Sequence, residues 1–118
     1  MGEGFEATAV GMIIDGKTEK ALEILAECYA IDTPHLRVGL PKGYKRKTLA
    51  CYSSQTKTIS VLNSETLKDP TIILHEFYHH LRTDVIQRHR GTEKHADEFA
   101  KKFIQAYKSL LASTKNWK

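Results

Sequence analysis

His75 and His79 lie four residues apart, with Glu76 between them, inside a stretch patterned for one long helix. On a helix, residues i and i+4 stack on one face, so both imidazoles can reach a single metal ion. Glu76 is turned about 100° from His75, near a water on such an ion but set aside from its ligand positions. This arrangement constrains the fold strongly. The segment must be helical and partly buried, and a second element must bring a further ligand to the same face.

The surrounding residues agree. Asp69 suits an N-cap and Pro70 a first helical position. Leu74, Phe77, Tyr78, Leu81 and Val85 recur at spacings of three and four. This predicts an amphipathic helix from 70 to 87 or 88, ending before Gly91. A second helix is expected from Thr92, because Ala96, Phe99, Ala100, Phe103, Ile104, Tyr107 and Leu111 form one stripe. Glu93 opens that helix and Asp97 follows one turn on. Glu93 is the expected third ligand, giving a His, His, Glu set with water in the fourth position. An acidic residue in a first helical turn is also what the helix dipole favours. Asp97 is expected to accept the second N–H of a ligating histidine. His89 and His95 are the alternatives for a third ligand. His35 and His80 are read as ordinary surface or half-buried histidines, and replacing His80 is expected to leave metal binding nearly intact.

The pattern His75-Glu76-x-x-His79 followed by Glu93-x-x-Ala96-Asp97 resembles the gluzincin metallopeptidases. It looks most like the soluble minigluzincins and the catalytic domains of CAAX prenyl-protease and HtpX-type peptidases. The block Glu93-x-His95-Ala96-Asp97-x-Phe99-Ala100 is also similar to that of ImmA/IrrE-type peptidases, with His95 where a glutamate is usual. A metzincin site would need glycine and histidine where Arg82 and Val85 stand.

The resemblance implies a zinc-dependent endopeptidase, with Zn²⁺ on His75, His79 and Glu93, and Glu76 as general base. His89 and Tyr107 are the candidates for stabilising the oxyanion. In gluzincins an edge strand before the active-site helix pairs with extended substrate. By resemblance that strand is Thr58, Ile59, Ser60, Val61, Leu62 and Asn63. Residues 113–118 hold the only tryptophan. If they fold back into the cleft, the enzyme is latent, as the resemblance to minigluzincins suggests. Two alternatives stand beside this reading. One is a regulatory protease of the ImmA/IrrE kind that cleaves a repressor. The other is a noncatalytic, zinc-stabilised interaction module.

The 118 residues make one domain's worth of chain, read as a single minimal catalytic domain spanning 1–118. A hydrophobic content of 41% without a long apolar run points away from a transmembrane span. The first five residues lack a signal peptide's basic start and apolar stretch. Cys28 and Cys51 are not spaced as a zinc pair. They read as reduced residues of a cytoplasmic protein. The net charge is +4, and Lys42, Lys45, Arg46 and Lys47 cluster. That cluster is read as a solvated loop. With no aromatic platform or helix-turn-helix signature, the expected partner is a peptide or protein rather than nucleic acid.

Upstream, a helix is expected over 18–29, with Leu22, Leu25, Cys28 and Tyr29 as its stripe and Asp32-Thr33-Pro34 as its stop. Residues 36–40, 49–52 and 58–62 read as strands, the last two separated by a polar stretch. Residues 1–15 give no defined element beyond a short apolar piece at 10–14. The expected fold is α+β and zincin-like: a backing helix, a small mostly antiparallel sheet, an active-site helix and a glutamate helix.

Overall fold

The computed structural model describes residues 4–43, 48–85 and 92–116. The elements are α1 (Phe5–Ile14), α2 (Thr18–Cys28), β1 (His35–Val38), β2 (Ala50–Ser53), β3 (Thr58–Val61), α3 (Ser64–Leu67), α4 (Pro70–Val85) and α5 (Thr92–Asn116). The chain is α+β, as expected. Its core joins Val10 and Ile13 of α1, Leu22 and Leu25 of α2, Ile59 and Val61 of β3, Phe77 of α4 and Phe103 of α5.

Helix α1 is the element that the sequence pattern leaves undefined. Its buried residues are Ala7, Ala9, Val10 and Ile13. It packs against α2, α4 and α5. A helix covered on several sides is apolar on several sides, so it shows no single stripe. Helix α2 carries the expected stripe and ends at Ala30, which has a φ of 58°. Ile31 N–H donates to Ala26 O at 2.9 Å, and Ala30 N–H to Glu27 O at 3.2 Å. This is a Schellman stop with alanine in the left-handed position that glycine usually takes.

The sheet has the order β1-β3-β2. Strand β1 runs parallel to β3, from His35 beside Thr58 to Val38 beside Val61. Strand β2 runs antiparallel to β3, from Ala50 beside Val61 to Ser53 beside Thr58. The sheet is therefore mixed, where a mostly antiparallel one is expected.

This topology corrects the substrate-strand expectation for Thr58, Ile59, Ser60, Val61, Leu62 and Asn63. Strand β3 is central, so β1 and β2 take up its backbone on both sides. Ile59, Ser60 and Val61 are buried. Leu62 N–H donates to Leu49 O at 2.8 Å. Asn63 caps α3, its Oδ1 accepting from Thr66 N–H at 2.9 Å. An alternating run of residues shows that a strand exists, not whether it has one neighbour or two.

Asp69 caps α4 as the sequence suggests, its Oδ1 accepting from Thr71 N–H at 3.0 Å and Ile72 N–H at 3.4 Å. The expected end of that helix at 87 or 88 lies outside the described residues. Helices α4 and α5 pack through Phe77, Tyr78 and Phe99. Among the described residues, no helix is long and apolar enough to cross a membrane.

Candidate metal centre

The packing of α4 on α5 sets Glu93 over the face of α4 that carries both histidines. Glu93 Oε1 is 2.9 Å from His75 Nε2, and its Oε2 is 2.8 Å from His79 Nε2. The two imidazole rings are 5.1 Å apart, centre to centre. One ligand atom from each of His75, His79 and Glu93 lies within 4.8 Å of the others. The three can hold a metal ion.

The site is reachable from solvent. The histidine side chains are 18% and 20% exposed and that of Glu93 is 76% exposed. On the far side of His75, Nδ1 lies 2.8 Å from Asp97 Oδ1. A carboxylate only accepts, so Asp97 holds the proton on Nδ1 and leaves Nε2 as the ligand atom. Asp97 thus occupies the supporting position expected of it.

With no metal, both ring nitrogens of His75 face carboxylates. Burial disfavours its charge, but the hydrogen bonds to Glu93 and Asp97 and the nearby charge of Glu76 outweigh burial and raise its pKa. For His79 burial dominates and the pKa falls. The Glu76 carboxyl is pushed up to about 7, first by burial and then by the charge of Glu93, against the pull of His75. A bound cation would draw it down again.

The donor set of two imidazoles and one carboxylate admits zinc with an open position. It also suits a mononuclear ferrous ion. No family model matches this chain, and comparison with curated proteins and with solved structures finds no match.

Other sequence expectations fare differently. His95 is not part of the ligand cluster, and His35 is exposed at the start of β1. His89, Lys45, Arg46 and Lys47 lie outside the described residues. Tyr107 is 14 residues beyond Glu93 on α5. That is about 21 Å along the helix axis, and Tyr107 packs beside Gly11 of α1. It cannot stabilise an oxyanion at this site. Of the tail, residues 113–116 continue α5. They lie about 30 Å or more along the axis from Glu93. Trp117 and Lys118, the rest of that tail, lie outside the described residues.

His80 is not at the surface but fully buried. Its Nε2–H donates to Asp32 O at 2.7 Å, which leaves Nδ1 to accept from the Tyr52 hydroxyl at 2.7 Å. It ties α4 to β2 and to the loop after α2. The sequence gives no sign of this, since a histidine beside two ligand histidines reads as part of a polar face. The sequence marks Arg82 only as standing where a metzincin would need glycine. It is three residues after His79 and seven after His75, spacings that share a helix face. Its Nε is buried and has no hydrogen-bond partner among the described residues.

Proposed function

We propose that this chain is a zinc-dependent peptide hydrolase of the gluzincin kind. The observation that carries the reading is the convergence of His75, His79 and Glu93, with the half-buried carboxyl of Glu76 on the same helix. A site built only to stabilise the fold needs no such carboxyl and usually closes all four positions with protein ligands. Zinc bound here would acidify a water and polarise the scissile carbonyl.

The chain's own residues supply the rest. His75 and His79 present nitrogen atoms from adjacent turns, and Glu93 binds from the facing helix. Asp97 fixes the His75 tautomer. Glu76 takes the proton of the attacking water and delivers it to the leaving amine. Since β3 is central, pairing with an extended peptide falls to an outer strand. Of the two, β2 packs on α4. Cys28 and Cys51, which form no disulfide among the described residues, suit a reducing, cytoplasmic setting.

The test is Glu76→Gln. The variant should bind as much zinc as the wild type, and its hydrolysis of a generic peptide should fall by about 10²–10⁴-fold. Undiminished turnover with zinc bound would remove Glu76 from the chemistry.

A further inference from the structure

We propose that Arg82 is a carboxylate-binding residue of this site, selecting substrates with an acidic group close to the bond to be cleaved. The inference rests on the peptidase reading above. At 100° per residue, Arg82 is about 20° around α4 from His75 and about 60° from His79. Arg82 therefore springs from the face that holds the metal ligands, about one turn beyond His79, and its guanidinium lies over Tyr78 beside that face.

Three features single it out. Its Nε is buried without a hydrogen-bond partner among the described residues. The guanidinium carbon lies over the Tyr78 ring, 5.8 Å from its centre, which holds the planar fork in a set orientation. The acids that α5 brings to this face, Glu93 and Asp97, are engaged by His75 and His79. A cation near the end of α4 answers the helix dipole. That accounts for the charge but not for a buried donor left unmet, which is costly unless a ligand supplies the acceptor. A carboxylate matches the fork, and a peptide held at the metal ligands would present one along the same helix face.

The test uses the ¹⁵N-labelled full chain with one equivalent of Zn²⁺. The Arg82 Nε–H signal is assigned by its loss in Arg82→Met. Three probes are titrated: N-acetylaspartate amide carries a side-chain carboxylate, N-acetylalanine a terminal one, and N-acetylasparagine amide none. The expected result is a saturable shift of the Arg82 signal with one or both carboxylates, at least about tenfold tighter than with the neutral amide. Which carboxylate binds identifies its source in the substrate. Arg82→Lys keeps the charge without the fork and should weaken binding about tenfold. No shift with either carboxylate, or an equal shift with the neutral amide, would overturn the proposal. Zinc binding is read separately, from the ring nitrogens of His75 and His79 in the same samples. If these do not respond to Zn²⁺, the peptidase reading fails on its own evidence, while the Arg82 signal still reports carboxylate binding.

Discussion

Asp97 Oδ1 lies 2.8 Å from His75 Nδ1, on the opposite side of the ring from Glu93, whose Oε1 is 2.9 Å from Nε2. One imidazole is thus gripped by two acids from successive turns of α5, and the two acids have different tasks. Glu93 can bind a metal, whereas Asp97 fixes which nitrogen is offered to it. Asp97→Ala should therefore weaken metal affinity by about 10–100-fold with the fold retained. Competition against a chelator of known affinity measures this. Wild-type affinity in the variant would show that the His75 tautomer does not depend on Asp97.

The raised pKa of Glu76 gives a prediction about pH. In the metal-free protein the folded state keeps the Glu76 proton up to about 7, while the unfolded chain releases it near 4.5. Between those values the folded state holds more protons, so this group's contribution to stability declines as pH rises. His75, also raised, acts in the same direction at higher pH, and His79, lowered, acts in the opposite one. Metal-free Glu76→Gln should match the wild type near about pH 4 and exceed it near about pH 8 by on the order of 2 kcal/mol. Urea unfolding with a chelator present measures both. A difference that does not grow with pH would contradict the account.

How far the sequence reveals this site depends on how local each feature is. His75, Glu76 and His79 are readable because one helix turn fixes their relation, and Asp69 and Pro70 mark where that helix begins. Glu93 and Asp97 are readable because a second stripe places them on the next helix. What escapes is set by neighbours distant in the chain. The central place of β3 depends on His35–Val38 pairing with it from across the chain. Helix α1 hides because three helices cover it. His80 is buried by contacts with Asp32 and Tyr52, respectively 48 and 28 residues away. Composition marks none of these.

Replacing His80 tests the last of those relationships. His80→Ala opens a cavity, removes an acceptor of the Tyr52 hydroxyl and takes away the donor to Asp32 O. The metal-free protein should lose about 2–4 kcal/mol. Gln in the same place can both donate and accept, and it should recover part of that loss. Denaturant midpoints compare the three chains. An alanine variant within about 0.5 kcal/mol of wild type would mean that the buried histidine does not hold α4 to the sheet.

The central claim is that α4 and α5 together form a metal site. It is tested most directly by metal analysis of the wild type and Glu93→Ala purified side by side and supplied with zinc. The account predicts about one zinc per wild-type chain and a large loss in the variant, because Glu93 is the only ligand that α5 contributes among the described residues. A folded wild type that takes up no zinc would contradict the account, and so would a Glu93→Ala variant that holds zinc as tightly as the wild type.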